Sequence, residues 1–219
     1  MYKLVAFEGI SGSGKSHMID MVNAKCGNFK TIKWFDNELT MSFLGEVQNI
    51  IQMNHDFFAV SYALDFYGKY KYMIEPLLNN SNLVMHRYIY TPLTHDIVRG
   101  AKQDLLERLY VSNDIVEPDL IVYMDTDPLT AYERIIQTRK PSFYECGLDC
   151  YRWESLDQAK RDYNNNRIPM EVLRQCYMDF QEKVILEYER RFKNKENVMY
   201  IKPDSNFDEC VDYIISLLN

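Results

Sequence analysis

The sequence lacks an excess of basic residues: 25 lysines and arginines stand against 32 aspartates and glutamates, which gives a net charge of −7. Proteins that bind nucleic-acid polymers usually have the opposite balance, because their phosphate contacts use lysine and arginine. The composition therefore argues against a dedicated DNA- or RNA-binding protein. It leaves room for a small basic pocket that holds the phosphates of one nucleotide.

Long apolar runs are also missing. No segment reaches the roughly 18 apolar residues that a membrane-spanning helix needs. Only a short apolar stretch precedes Glu8, which is too little for the apolar region of a signal peptide. We therefore expect a cytoplasmic protein without a membrane partner.

A regular pattern of cysteines is missing as well, because the five residues are odd in number and scattered along the chain. Without a secretory signal, free thiols are expected rather than a disulfide framework. Cys146 and Cys150 are close in sequence, but no second pair or nearby histidine completes a four-ligand metal site. With 219 residues, 47% of them apolar, the chain is long enough for one domain with a sizeable core.

Short apolar segments alternate with amphipathic ones along the chain. We predict strands at residues 2–7, 31–35, 83–85, 120–124 and 198–201. We predict helices at residues 15–26, 102–110, 128–138, 169–192 and 207–218. We predict two further helices between residues 39 and 78, with a break between them near Asn54. Residues 139–166 are predicted to be irregular. This alternation is typical of an α/β fold whose parallel sheet is covered on both faces. Ligands of such sheets collect at the carboxyl ends of the strands.

Residues 9–16, GISGSGKS, match the phosphate-loop pattern G-x-x-x-x-G-K-[ST] between a predicted strand and a predicted helix. Glycines let backbone N–H groups turn toward a phosphate, and the helix N-terminus adds its positive end. We expect Lys15 to reach the β- and γ-phosphates of ATP and Ser16 to bind Mg²⁺. The predicted nucleotide-binding residues of this loop are Gly9, Ser11, Gly12, Ser13, Gly14, Lys15 and Ser16.

Three arginines suit phosphoryl transfer. Arg87 follows a predicted strand, where its guanidinium can bind an acceptor phosphate through two parallel hydrogen bonds, although a surface ion pair is the alternative. Arg134 and Arg139 lie near the end of a helix that runs into the irregular segment. A lid that closes over the transferred group needs such positive charge, although basic residues are also common at exposed helix ends. We predict a lid at about residues 138–166.

The order of these motifs resembles that of the thymidylate kinase family. The resemblance runs from residue 3 to about residue 192. Four stretches carry it: FEGISGSGKS (7–16), YALDFYGKYKYMIEPLLNNSNLVMHRY (62–88), PDLIVYMDTDP (118–128) and the lid stretch from Arg134 to FYECGLD (143–149). It implies a P-loop NTPase fold over residues 1–219, a three-layer α/β/α domain with a five-stranded parallel sheet and a lid. It also implies ATP and Mg²⁺, a deoxynucleoside monophosphate as the small-molecule acceptor, and often a homodimer.

The resemblance also implies roles for individual residues. It places Arg87 on the acceptor phosphate, Arg134 near adenine and Arg139 on the transferred group, and it puts the ring of Tyr62 against the acceptor base. The predicted catalytic residues are Lys15, Arg87, Arg134 and Arg139, and Arg134 is also a predicted nucleotide-binding residue. The predicted substrate-binding residues are Glu8, Asp36, Tyr62, Phe66, Arg87, Tyr88, His95 and Tyr144.

The chain departs from the family pattern mainly on the acceptor side. Ser11 stands where the family's loop has an aspartate, Phe66 where an arginine reads the base, and His86 where an aspartate lies near Mg²⁺. The polar residue that helps to read thymine aligns with Pro92, and the tyrosine near the sugar aligns with His95. The acceptor base therefore stays open. The carboxylates that could compensate are Glu8, Asp36, Glu38, Asp96 and Asp125.

The function we expect is the reaction of dTMP and ATP to dTDP and ADP. Two alternatives stay open. A deoxynucleoside kinase would use Asp36 or Glu38 as a general base and would have less use for Arg87. A nucleotide-binding protein with lost or altered catalysis would explain Ser11 and His86 in place of aspartates.

Overall fold

The computed structural model describes residues 2–33, 55–111, 114–150 and 155–219. Within these ranges five strands form one parallel sheet in the order β2-β3-β1-β4-β5. The strands are β1 (Leu4–Glu8), β2 (Phe29–Lys33), β3 (Asn82–His86), β4 (Leu120–Met124) and β5 (Val198–Ile201). Every residue of β1 and β4 is buried, as expected for central strands with both faces covered. The predicted fold class is confirmed.

The described helices surround this sheet. They are α1 (Lys15–Lys25), α2 (His55–Lys69), α3 (Glu75–Leu78), α4 (Tyr90–Arg99), α5 (Gln103–Tyr110), α6 (Pro128–Ile136), α7 (Leu156–Asn164), α8 (Met170–Phe192) and α9 (Phe207–Leu218). A π-helical turn, Tyr70–Ile74, joins α2 to α3, and a 3₁₀ turn spans Leu148–Cys150. None of these helices is long and apolar enough to cross a membrane. The predicted helix break near Asn54 lies outside the described residues.

The sequence pattern gives no helix at residues 90–99, and the prediction of an irregular 139–166 is wrong where α7 lies. Helix α4 buries Thr91, Thr94 and Asp96 beside Tyr90 and Leu93, so polar residues interrupt its inner face. Helix α7 buries only Ala159 and begins where the Ser155 hydroxyl accepts a hydrogen bond from a backbone N–H. Each helix therefore has only a short apolar stripe, with three or four apolar residues packed in or against the core, and this is a weak signal in the sequence.

Two hydrophobic cores lie on opposite faces of the sheet. Because successive side chains of a strand point to opposite faces, β1 contributes Leu4 and Ala6 to one core and Val5 and Phe7 to the other. The first core is covered by α2, α4, α5, α6, α7 and α8, and the second by α1 and α9. The result is the three-layer α/β/α arrangement that the sequence predicts.

The strand order positions the functional residues. Strand β1 lies between β3 and β4, so the carboxyl ends of these three strands lie side by side. The loop after β1, the segment after β3 and the segment after β4 therefore meet at one edge of the sheet. This is the edge at which parallel α/β sheets bind their ligands.

Candidate active site

The loop between β1 and α1 has a backbone that requires glycine. Gly9, Gly12 and Gly14 have φ angles of +132°, +80° and +99°. A Cβ on Gly12 would lie 2.4 Å from the carbonyl oxygen of Ala131 in α6, so this glycine is also needed for close packing. No side chain caps the N-terminus of α1. The backbone N–H groups of its first turn are therefore left for an anion, as in phosphate-binding loops.

The ammonium group of Lys15 is buried inside this loop. Its Nζ donates hydrogen bonds to the carbonyl oxygens of Gly9 (3.0 Å) and Ile10 (2.6 Å) and to the Ser13 hydroxyl (3.1 Å). Burial, and then the nearby charge of Arg87, lower the pKa of Lys15 well below its usual range. A desolvated cation held by neutral oxygens favours an anionic partner, so the loop fits a nucleotide phosphate.

Glu8 is the centre of a buried hydrogen-bond network. Its carboxylate accepts hydrogen bonds from the backbone N–H of Tyr88 (2.8 Å) and from the hydroxyls of Thr91 (2.7 Å) and Tyr188 (2.9 Å). Burial raises the pKa of Glu8, and these bonds together with the charge of Arg87 partly offset that effect. The carboxylate therefore ties β1 to α4 and α8 and fixes the segment that carries Arg87.

Arg87 extends from the end of β3 toward the phosphate loop with a left-handed backbone, φ +70°. Its Nη1 donates to the Thr91 hydroxyl (3.2 Å) and its Nη2 to the Ser11 hydroxyl (3.3 Å). A non-glycine residue at positive φ is strained and persists only where its surroundings hold it. A guanidinium has five N–H donors, so these two bonds leave donors for a phosphate.

Ser16 and His86 face each other at the first turn of α1, with 3.1 Å between Oγ and Nε2. Burial, followed by the charges of Lys15 and Arg87, lowers the pKa of His86 to about 4, so its imidazole is neutral at pH 7. The described residues contain no cluster of three or more acidic, histidine or cysteine side chains that could hold a metal alone. The Ser16 hydroxyl fits Mg²⁺ that arrives with ATP phosphates, because Mg²⁺ prefers oxygen ligands and keeps several waters.

The segment after α6 carries an ion pair between Arg139 and Glu145. The two residues form two hydrogen bonds of 2.7 Å, and the Ser142 backbone N–H also donates to the Glu145 carboxylate (2.7 Å). Burial alone would raise the pKa of Glu145, but these bonds, the charge of Arg139 and the nearby Ser11 hydroxyl lower it to about 2. Ser11, on the phosphate loop, therefore lies near Glu145 as well as Arg87.

Helix α8 fastens the same segment to the loop. The Tyr177 hydroxyl donates to the carbonyl of Ser11 (2.6 Å), and the Gln181 amide donates to the carbonyl of Glu145 (2.7 Å). Gly147 packs so closely on α8 that a Cβ there would lie 2.4 Å from Cδ2 of Phe180. The start of the predicted lid is thus packed on both the phosphate loop and α8.

Arg134 has a different environment from Arg139. Its Nη1 donates to the carbonyl of Ser13 in the phosphate loop (3.3 Å). The Thr126 hydroxyl, after β4, donates to the same carbonyl (3.2 Å). Arg134 therefore lies over the loop itself, whereas Arg139 is held by Glu145.

Two predicted substrate-binding side chains are part of the hydrophobic core. Phe66 is 2% exposed and packs against the rings of Tyr70, Tyr88 and Tyr110. The Tyr88 ring is fully buried, and its hydroxyl donates to the carbonyl of Val116 (3.1 Å). In this structure both rings contribute core packing, and contact with a substrate stays a prediction for them.

Tyr62, His95 and Tyr144 lie around the partly buried Arg99. Arg99 donates to the carbonyl of Tyr144 (3.1 Å) and to the Asp149 carboxylate (2.9 Å). Burial and then Tyr144 raise the pKa of Tyr62, so these two rings lie near one another. His95 forms a hydrogen-bond contact with the carbonyl of its own helix at Thr91, and burial lowers its pKa well below the usual range. Asp36 lies outside the described residues.

Sequence reasoning missed several residues of this site: Thr91, Arg99, Ser142, Tyr177 and Tyr188. Apolar side chains recur every four residues along α8, and this spacing predicts that they belong to the core. They are Val172, Cys176, Phe180, Val184, Tyr188 and Phe192, and all but Val172 are buried. A signal was available there, because a buried tyrosine hydroxyl usually needs a polar partner. The identity of that partner depends on the fold.

Comparisons with known proteins find one family. The family model described as thymidylate kinase matches residues 7–214. A protein of Saccharolobus solfataricus named probable thymidylate kinase 2 is 28% identical over 204 residues, which cover 90% of this chain and 86% of that protein. The thymidylate kinase of Brachyspira hyodysenteriae is 26% identical over 74% of this chain and 81% of its own.

A solved structure of the thymidylate kinase of Candida albicans has a similar fold. It aligns with a TM-score of 0.65 and 16% identity, covering 99% of this chain and 90% of its own. At this identity the likeness concerns the fold alone.

Proposed function

The chain belongs to the thymidylate kinase family, and we propose that it transfers the γ-phosphoryl group of ATP to a deoxynucleoside monophosphate, with dTMP as the principal acceptor. One observation carries the proposal. Two cationic groups meet at the phosphate loop: Lys15 Nζ donates to the carbonyls of Gly9 and Ile10, and Arg87 Nη2 donates to the Ser11 hydroxyl. A donor phosphate and an acceptor phosphate can therefore be held by one cation each.

On the donor side, the loop would bind the ATP phosphates. Its backbone N–H groups surround the phosphates, and Lys15 exchanges its neutral carbonyl partners for β- and γ-phosphate oxygens. Mg²⁺ bound to ATP beside Ser16 neutralises charge on the transferred group. Arg134 would approach the nucleotide at its adenine end, and its contact with the Ser13 carbonyl of the loop supports a role beside the bound nucleotide.

On the acceptor side, Arg87 would bind the monophosphate and point it at the γ-phosphate of ATP. In-line transfer depends mainly on positioning and electrostatics, so a fixed arginine is sufficient and no covalent intermediate is needed. Glu8 acts as a positioning residue. Its carboxylate binds the backbone N–H of Tyr88, the residue after Arg87, and the hydroxyl of Thr91, to which Arg87 also donates. This use of Arg87 favours a monophosphate acceptor over a free deoxynucleoside.

The lid would deliver a further arginine. Arg139 is held by Glu145 at the surface of the site, with half of its side chain exposed. A bound triphosphate would compete with Glu145 for this guanidinium, and the arginine would then stabilise charge in the transition state. The predicted lid limits, 138–166, include this pair.

Partners and location are part of the proposal. The partner is a small nucleotide, and the compartment is the cytoplasm, which agrees with five free cysteines. A homodimer is supported by exposed apolar side chains that recur along one face of α2: Phe57, Val60, Leu64 and Tyr67.

An acceptor screen tests the proposal. Wild-type protein is supplied with ATP, Mg²⁺ and, separately, each deoxynucleoside monophosphate and each deoxynucleoside, and ADP and the phosphorylated product are quantified. We expect the highest kcat/KM with dTMP. Products from free deoxynucleosides alone would transfer the assignment to a deoxynucleoside kinase. ATP binding without any product would indicate a protein that has lost catalysis.

A further inference from the structure

We propose that His86 is a direct ligand of the divalent cation that accompanies ATP, and that this nitrogen shifts metal preference from Mg²⁺ toward first-row transition metals. The inference rests on the proposed function only in placing a nucleoside triphosphate at the phosphate loop. It does not depend on which acceptor the protein uses. The resemblance to other family members places an aspartate here, so an imidazole changes the donor set.

The separation of the two side chains matches that of neighbouring ligands on one metal ion. Oγ of Ser16 and Nε2 of His86 are 3.1 Å apart. Two ligands at right angles, each about 2.1 Å from an octahedral cation, lie about 3.0 Å from each other. The same pair of atoms can therefore bind one cation with little movement.

The backbone holds both side chains in place. His86 is the last residue of β3 and pairs with Phe7 of β1 and with Lys33 of β2. Ser16 lies in the first turn of α1, directly after the glycines of the loop. Nε2 of His86 faces Ser16, and an imidazole that carries its proton on Nδ1 offers the lone pair of Nε2 to a metal.

The surroundings indicate that the cation arrives with the nucleotide. No described cluster of carboxylate, histidine and cysteine side chains holds a metal alone, and the cations Lys15 and Arg87 lie close to His86. The triphosphate must therefore supply the remaining ligands and the negative charge. Imidazole nitrogen suits metals such as Co²⁺, Ni²⁺ and Zn²⁺, whereas Mg²⁺ prefers oxygen. A histidine in place of a carboxylate at position 86 therefore weakens the binding of Mg²⁺ relative to the binding of these metals.

Pulsed electron paramagnetic resonance tests direct ligation. Wild-type protein labelled with nitrogen-15 histidine is saturated with Mn²⁺ and a non-hydrolysable ATP analogue, without acceptor. We expect a nitrogen coupling to Mn²⁺ that changes between the labelled and unlabelled proteins and is absent in His86→Asp. The control His17→Gln, an exposed neighbour of Ser16, keeps the coupling. The wild-type pair shows whether a histidine binds Mn²⁺ at all, and the His17→Gln variant, which leaves His86 in place, excludes the histidine next to Ser16.

Equilibrium binding tests the metal preference. Dissociation constants of the same analogue are measured with Mg²⁺ and with Co²⁺. We expect the preference for Co²⁺ over Mg²⁺ to be on the order of tenfold greater in wild type than in His86→Asp. Nucleotide binding without a histidine coupling, or equal preferences in both proteins, overturns this inference alone. Failure to bind the analogue with any metal overturns it together with the proposed function.

Discussion

Arg139 binds Glu145 through two hydrogen bonds, one from each terminal nitrogen to a different carboxylate oxygen, and both are 2.7 Å long. The arginine that the lid would offer to a phosphate is therefore already paired with a carboxylate of the lid. Helix α8 connects this segment to the phosphate loop, because the Gln181 amide donates to the Glu145 carbonyl and the Tyr177 hydroxyl donates to the Ser11 carbonyl.

Glu145→Gln is expected to destabilise the protein by about 2 kcal/mol at pH 7, because two charge-assisted hydrogen bonds are lost. The pKa of Glu145 is lowered from 4.5 to about 2 in the folded state. The stability that the ionised Glu145 gives the folded protein is therefore complete above about pH 4.5 and is lost as the pH falls toward 2. Urea unfolding of wild type and variant at pH 7, 5 and 3.5 measures this, and the difference should shrink at the lowest pH.

The exposed pair of Arg108 and Asp104 is the matched control. Its side chains are 73% and 67% exposed, so Asp104→Asn should cost less than about 0.5 kcal/mol at any pH. Equal losses of unfolding free energy in the two variants, or a Glu145→Gln effect that stays constant with pH, would contradict the stabilising role of the pair Arg139 and Glu145.

Gly147→Ala is expected to cost about 2–4 kcal/mol. A Cβ at this position would lie 2.4 Å from Phe180, and the residue has φ +59°. Overpacking costs about 1–3 kcal/mol and a left-handed backbone about 1 kcal/mol more. Urea unfolding measures the loss.

Gly68→Ala is the opposite case, because it lies in α2 with nothing within 4 Å of an added Cβ. This variant should gain about 1 kcal/mol from helix propensity. If Gly147→Ala were as stable as Gly68→Ala, the lid segment would not be packed on α8.

Lys15→Met is expected to lower kcat/KM for ATP by about 10²–10³-fold, because a charged donor to the transferred group is lost. Stability without nucleotide should change little, since the buried ammonium is itself costly to desolvate and its pKa is lowered. Lys25→Met, in the last turn of the same helix, is the control and should keep its activity. Normal turnover by Lys15→Met would remove the phosphate loop from the mechanism.

Arg87→Lys is expected to raise KM for dTMP by about 30-fold, since a bidentate charge-assisted contact of about 2 kcal/mol is lost. KM for ATP should change by less than about threefold, because the donor phosphates are held by the loop. Arg190→Lys, on the half-exposed face of α8, is the control with unchanged constants. Steady-state kinetics with each substrate varied in turn measures both values. A rise confined to ATP would place Arg87 on the donor side.

The parts of this structure that local pattern encodes could be predicted. The apolar run at residues 120–124 is β4, and the glycine pattern at 9–16 is the loop, because each signal lies within a few neighbouring residues. The partners of Glu8 could not be predicted in this way. Tyr88, Thr91 and Tyr188 lie 80, 83 and 180 residues away in sequence, so only the completed fold brings them together.

Phe66 shows a second limit of sequence reasoning. Alignment with a base-reading residue makes it a candidate for the acceptor pocket, but its ring is buried among other aromatic rings. Burial of a hydrophobic side chain of α2 in that core stabilises the folded state. An arginine at the same position would instead have to face water or a ligand.

Transfer of a labelled phosphate tests the central claim most directly. Wild-type protein is incubated with Mg²⁺, dTMP and ATP that is radiolabelled in its γ-phosphate, and the products are separated by chromatography. We expect the label in the β-phosphate of dTDP, in amounts equal to the ADP formed, and a transfer that Lys15→Met slows by about 10²–10³-fold. A parallel incubation replaces dTMP by thymidine. Label found only in inorganic phosphate, or label transferred to thymidine but not to dTMP, would contradict the proposed function.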